Sequence, residues 1–120
     1  NFISVLISNA AIEMKRFIDK VHDIDRNIKS SPYLGDLLVT AYSVNSRNRA
    51  LGTMVGSGYT VMAAIIEMKM VAEGMTGAKG IFEMNKEFKV EIPIADAVYR
   101  ILHERMSPVL EMMLLSDQLK

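Results

Sequence analysis

The stretch 35-GDLLVTAYSVNSRNR-49 combines an acid, several hydroxyls, an amide and two guanidiniums between apolar helical segments. Ser46 is a good helix N-cap, so we expect a helix over residues 47–55. The backbone N–H groups of its first turn would lie unpaired at the positive end of the helix dipole. The Arg47 guanidinium could grip two phosphate oxygens, and the Asn48 amide could donate to the same ligand. The stretch predicts an anion site, although Ser-Arg-Asn-Arg also fits an ordinary solvated helix start.

Helix start and stop signals extend on both sides of this stretch. Before it, apolar residues predict a buried first helix from Phe2 to about Lys20 and a second helix from about Tyr33 to Tyr42. After it, Gly56-Ser57-Gly58 predicts the end of the helix that follows Ser46. Thr60 is expected to cap a helix that runs through Met68, and Thr76 a helix that runs to about Lys89. Two further helices are expected to start at Pro93 and at Ser107-Pro108, and the last ends near Ser116. Val71-Ala72-Glu73-Gly74 is expected to form an extended loop. The prediction is an all-α fold of about seven helices, without a convincing strand.

The composition limits the class of protein. With 120 residues, half of them hydrophobic, the chain can bury one core. Lys plus Arg equals Asp plus Glu at 14 each, so no net field favours nucleic acid. The absence of cysteine excludes disulfides and thiolate chemistry and suits the cytoplasm. The apolar start is shorter than the roughly 20 residues that span a bilayer, and a chain that begins at Asn1 suggests a fragment with residues upstream.

Metal chemistry finds little support in the sequence. Asp23, Asp25 and Asn27 have the one-three-five spacing of a calcium loop. Ile28 stands where that loop needs glycine, and Leu34 stands where it needs a bidentate glutamate. The two histidines are far apart and lack a paired carboxylate motif. We predict no metal site.

Three segments agree in order and spacing with one enzyme family. The first contains Gly35, Asp36, Leu37, Thr40, Ser43, Ser46, Arg47, Asn48, Arg49 and Gly52; the second is Val71-Ala72-Glu73-Gly74 with Ala78-Lys79; the third is Glu91-Ile92-Pro93-Ile94 with residues 97–102. Over nearly its whole length the chain resembles the substrate domain of NAD(P)-dependent glycerol-3-phosphate dehydrogenases. The resemblance implies a compact helical domain of the 6-phosphogluconate dehydrogenase C-terminal-domain-like type.

The resemblance also implies an activity. Residues 1–120 would be the C-terminal substrate-binding domain, and NAD or NADP would be bound mainly by an N-terminal Rossmann domain that this chain lacks. The expected reaction is hydride transfer between the nicotinamide and C2 of dihydroxyacetone phosphate, which gives sn-glycerol 3-phosphate for glycerophospholipid synthesis. We expect a cytoplasmic homodimer, and a fragment that is inactive alone.

The resemblance assigns the site residues as follows. The catalytic residues would be Asp36 and Thr40, beside a proton-donating lysine that is upstream of Asn1. The substrate would be bound by Asp36, Ser46, Arg47 and Asn48. The cofactor would be contacted by Arg47, Val71 and Glu73. Without the resemblance, Asp36 is also explained as a first-turn helix acid, and Glu73 as a solvated loop residue.

Two other functions stay open. A related helical domain could serve a dehydrogenase of 2-hydroxy or 3-hydroxy acids, in which Arg47 would hold a carboxylate. A non-catalytic helical interaction module could use the apolar first helix and the methionines as a partner surface. The alternative for methionines such as Met62, Met68 and Met113 is core packing.

Overall fold

A computed structural model describes residues 2–24, 46–68 and 72–119, with residues 22–24 and 46 as backbone only. These ranges form six helices and no strand. The helices are α1 (Phe2–Ile24), α2 (Ser46–Gly56), α3 (Val61–Glu67), α4 (Glu73–Phe88), α5 (Pro93–His103) and α6 (Pro108–Gln118). The prediction of an all-α fold is confirmed. The helix predicted over residues 33–42 lies outside the described residues.

Local sequence signals set several helix ends as predicted. The chain leaves α2 through Gly58, whose φ of 108° lies in the region that favours glycine. The side-chain oxygens of Thr60 and Ser107 accept hydrogen bonds from backbone N–H groups three residues on, at 3.0 and 3.3 Å. Pro93 occupies the first position of α5, where its missing N–H costs little.

The helix ends that differ most from the prediction are the end of α1 and the start of α4. Helix α1 continues to Ile24, beyond its predicted end. Helix α4 begins at Glu73 instead of after Thr76, so the extended loop predicted over residues 71–74 is wrong for Glu73 and Gly74. The physical reason is that a first-turn N–H of α4 finds its acceptor on Asn48, on a different helix, and needs no cap from the neighbouring sequence.

The core lies where α2, α3, α4 and α5 meet. Its buried side chains are those of Leu51, Val55, Ala64 and Ala72. Leu51 and Val55 are four residues apart and therefore share one face of α2. Met54, Met68 and Met75 pack against this cluster, as expected of gap-filling methionines. Met62 and Met113 are instead exposed, so core packing does not explain every methionine.

Helix α1 is less covered than predicted. Ile3 and Ile7 are 64% and 65% exposed. The expectation of a buried helix is therefore not met, because α1 packs against α5 with one side and leaves an apolar stripe outside that contact. None of the described helices is long and apolar enough to cross a bilayer.

The contact between α1 and α5 is polar. Glu13 is 7% exposed, and its two carboxylate oxygens accept hydrogen bonds from the backbone N–H groups of Ile94 and Ala95, each at 2.8 Å. These first-turn donors of α5 have no partner within their own helix. Arg16 donates to the carbonyl oxygen of Glu91 just before α5. Burial raises the pKa of Glu13, and the two N–H groups offset part of this rise.

Helix α5 also contacts α4 and α6 through specific side chains. The rings of Phe82 and Tyr99 stack with centroids 3.7 Å apart and an interplanar angle of 6°. On the α6 side, Arg100 Nε donates to both carboxylate oxygens of Glu111, at 2.7 and 3.0 Å. This hydrogen bond raises the pKa of the Arg100 guanidinium.

Candidate functional site

The first turn of α2 carries the residues that the sequence predicts to bind an anion. The helix begins at Ser46, whose side chain is not among the described atoms, so its phosphate role stays a prediction. Arg47 and Asn48 follow and are half-buried, and Arg47 already has a polar or electrostatic partner in the chain. The first-turn N–H groups of a helix point out of its N-terminal end and have no acceptor within the helix, so the N-terminus of α2 favours negative charge.

Asn48 joins the start of α2 to the start of α4. Its Oδ1 accepts a hydrogen bond of 2.9 Å from the backbone N–H of Gly74, a residue 26 positions further along the chain. The cap residue of α4 is Ala72, which has no side chain that could accept this bond. Asn48 therefore supplies from another helix the capping acceptor that the local sequence lacks.

This contact brings together two segments with predicted ligand roles. Arg47 precedes Asn48 in α2, and Glu73 precedes Gly74 in α4. Glu73 is exposed at the first position of its helix, where the dipole favours a carboxylate. Arg47, Asn48 and Glu73 therefore lie in the first turns of two neighbouring helices, whose N-terminal ends favour an anionic group.

Three predicted site residues lie outside the described residues. They are Asp36 and Thr40, expected near the catalytic lysine, and Val71, expected at the cofactor. Their roles stay predictions.

The far end of α5 supports the start of α4. His103 Nε2 lies 2.8 Å from the carbonyl oxygen of Met75, in the first turn of α4. The His103 ring also stacks on Tyr99, with centroids 5.1 Å apart. Because Tyr99 in turn stacks on Phe82, aromatic side chains fix α5 along α4 and hold the turn that carries Glu73.

In the described part of the chain, two cavities lie away from Arg47, Asn48 and Glu73. A cavity of about 310 Å³ lies between α2, α3, α5 and the start of α6, and its lining contains none of the predicted ligand residues. Within residues 2–24, 46–68 and 72–119, no group of three or more His, Cys, Asp or Glu side chains could hold a metal ion.

Sequence reasoning missed the role of Gly74. A glycine near a helix start costs helix stability and can therefore signal a close contact. That signal is not specific here, because α4 also contains Gly77 and Gly80, and a Cβ atom at either would have no neighbour within 4 Å. Gly74 differs from Gly77 and Gly80 only because Asn48 lies against it, which the sequence does not show.

The described part of the chain is thus an all-helical domain in which two helix N-termini meet beside an arginine and a glutamate. Residues 1–113 match the family model described as the C-terminus of NAD-dependent glycerol-3-phosphate dehydrogenase. The chain belongs to this family, and the resemblance seen in the sequence is confirmed.

Individual relatives agree with the family match. The chain is 35% identical over 114 residues to a glycerol-3-phosphate dehydrogenase, NAD(P)+, of Chlorobium phaeobacteroides, a match that covers 95% of this chain and 34% of the relative. It is 44% identical over 71 residues to the protein of the same name from Bacillus pumilus, covering 59% of this chain and 21% of the relative. The chain thus spans about a third of the length of the first of these relatives. No solved structure gives a significant match.

Proposed function

We propose that this domain binds the phosphate end of dihydroxyacetone phosphate in an oxidoreductase that interconverts this ketone and sn-glycerol 3-phosphate with NAD(P)H. In this proposal the coenzyme is bound mainly by a Rossmann-type domain outside residues 1–120. The contact between Asn48 and Gly74 carries the proposal, because it joins the segment expected at the substrate phosphate to the segment expected at the coenzyme.

The residues present fit both ligands. Arg47, in the first turn of α2, carries a charge that can neutralise the phosphate, and by family resemblance it would also contact the coenzyme. Glu73 is exposed and can accept a hydrogen bond from a ribose hydroxyl or from the nicotinamide amide. Asn48 can donate to the substrate through its NH2 group, since its oxygen is engaged by Gly74.

The chemistry divides between this chain and the rest of the protein. When bound, the nicotinamide would provide hydride-transfer chemistry at C2 of the substrate. The proton for the developing alkoxide would come from a lysine outside this chain. Asp36 would hold the ammonium group of this lysine in place and hydrogen-bond the substrate, and Thr40 would line the same face of the site. Arg47, Asn48 and the helix N-terminus orient the substrate by its phosphate, so they contribute binding and alignment.

The test is a steady-state assay of NADH and NADPH oxidation by the full-length protein with dihydroxyacetone phosphate. We expect activity, and we expect Arg47→Ala to raise the KM for the ketone roughly 30- to 150-fold, since a charge-assisted contact contributes about 2 to 3 kcal/mol. Arg49→Ala is the matched control. Arg49 is exposed and lies about 200° around the helix from Arg47, so its loss should leave KM unchanged.

Each outcome of this assay tests a different part of the proposal. A wild-type protein that oxidises neither coenzyme with this substrate would reject the proposed reaction. Reduction of a keto acid in its place would favour the hydroxy-acid dehydrogenase. An unchanged KM in Arg47→Ala would reject the phosphate role of this residue while leaving the reaction intact.

The cellular setting of the enzyme belongs to the same proposal. By family resemblance we propose a cytoplasmic homodimer whose product enters glycerophospholipid synthesis. Light scattering on the full-length protein tests the dimer, and a monomeric mass would reject it.

A further inference from the structure

Gly74 is in closer contact than the other glycines of its helix. A Cβ atom at position 74 would lie 2.9 Å from both Cγ and Oδ1 of Asn48 and 3.0 Å from its Nδ2. Carbon atoms do not approach this closely without displacing a neighbour. At Gly77 and Gly80, by contrast, the same atom would meet nothing within 4 Å. A side chain at position 74 would therefore require the end of the Asn48 side chain to move.

The same contact orients the Asn48 amide. The N–H of Gly74 donates to Oδ1, so the carbonyl end of the amide faces α4. The NH2 end is therefore the end that can donate to an anion at the start of α2. Asn48 cannot turn or withdraw without leaving the Gly74 donor unpaired, and this N–H group has no acceptor within its own helix.

We propose that Gly74 is a positioning residue that fixes the distance between the substrate-binding start of α2 and the coenzyme-contacting start of α4. The inference rests on the proposed function. An Asn48 side chain displaced by a group at position 74 moves away from the substrate phosphate. The first turn of α4, which carries Glu73, shifts with it. One contact thus controls the binding of both ligands.

The test compares Gly74→Ala with Gly77→Ala in the full-length enzyme. The measurements are the dissociation constant of NADPH or NADH by fluorescence titration without substrate, and the KM for dihydroxyacetone phosphate. We expect Gly74→Ala to raise both constants roughly fivefold or more. Gly77→Ala makes the same chemical change in the same helix without a clash, so both constants should stay within about twofold of the wild type.

Asn48→Ala tests the contact from its other side. A residue that only binds substrate would change KM and leave the coenzyme dissociation constant unaltered. The inference expects both constants to rise. In the Asn48→Ala background, Gly74→Ala should then add less than about a twofold change, because the atoms that it would strike are gone. Additive effects of the two substitutions would reject the direct contact.

Failure of the inference is distinct from failure of the proposed function. An inactive wild-type protein rejects the proposed function. An active wild type with unaltered coenzyme binding in both Gly74→Ala and Asn48→Ala rejects the inference alone. Circular dichroism monitors folding, and if Gly74→Ala does not fold, the coenzyme dissociation constant of Asn48→Ala decides the question.

Discussion

Two buried glutamates show how this small domain accommodates negative charge. Glu13 and Glu111 are 7% and 3% exposed. A buried carboxylate is strongly destabilising unless it is paired or hydrogen-bonded. Glu13 is satisfied by two backbone N–H groups, whereas Glu111 depends on the guanidinium of Arg100. The two residues therefore respond differently to the loss of a partner.

The pair of Arg100 and Glu111 should be asymmetric in its effect on stability. The Arg100 side chain is 37% exposed and can turn to water, whereas Glu111 cannot. We expect Arg100→Gln to lower the free energy of unfolding by about 2 to 3 kcal/mol, because it leaves a buried charge unpaired. Glu111→Gln should lower it by only about 1 kcal/mol. Urea denaturation measures both, and equal effects would contradict this account.

At the scale of the element, α3 depends on its cap. It contains only seven residues, fewer than an isolated helix needs to be stable in water. The hydroxyl of Thr60 satisfies the N–H of Ala63 at its start. Packing of the buried Ala64 against the core then holds the helix in place.

Removal of the Thr60 cap should lower the stability of the domain by a measurable amount. We expect Thr60→Ala to lower the free energy of unfolding by about 1 kcal/mol, the usual contribution of an N-cap hydroxyl. Thr60→Ser keeps the hydroxyl and serves as the control, with a change within about 0.5 kcal/mol. Thermal or urea unfolding of both variants tests the cap. Equal losses in the two would show that the methyl group of Thr60, and not its hydroxyl, is what matters.

The sequence predicted those elements whose ends are fixed by neighbouring residues. Thr60, Ser107 and Pro93 act within one helical turn, so their effect can be read locally. The start of α4 could not be predicted in this way, because its acceptor lies on Asn48, 26 residues earlier. The start of α5 was predicted from Pro93, but the contact of its first-turn N–H groups with Glu13, 81 and 82 residues earlier in the chain, could not be read from the sequence.

At the scale of the whole molecule, the candidate site was predictable only in part. The residue types at Arg47 and Asn48 suggested an anion site, whereas the coenzyme role of Glu73 is implied only by the family resemblance and stays a prediction. The contact between Asn48 and Gly74 that joins their helices could not be predicted, because glycine has no side chain that would contribute to a sequence pattern. Contacts between distant segments are decided by the assembled fold, and a single sequence does not display them.

Stability of the assembled domain should depend on pH through the α1–α5 junction. Burial raises the pKa of both Glu13 and Asp96, with Arg100 offsetting part of the rise at Asp96. The folded state then holds these protons more tightly than the unfolded chain. The stabilisation is therefore complete below the ordinary pKa values near 4 and is lost as the pH rises through the raised values.

Glu13→Gln isolates the part of this dependence that belongs to Glu13. Glutamine does not titrate, and Asp96 and Arg16 remain as they are. We expect the free energy of unfolding of the variant, relative to wild type, to increase between pH 4 and pH 7, whatever the constant offset from its altered hydrogen bonds. Urea denaturation across this range measures it. A difference that does not vary with pH would contradict the raised pKa.

The bond between His103 and Met75 makes the imidazole a natural reporter on the candidate site. A carbonyl oxygen can only accept, so this hydrogen bond requires a proton on Nε2 of the ring. Nitrogen-15 resonances of imidazoles distinguish the two tautomers. The ring signals of His103 should therefore register any ligand that shifts the first turn of α4, with no label or substitution near the ligand itself.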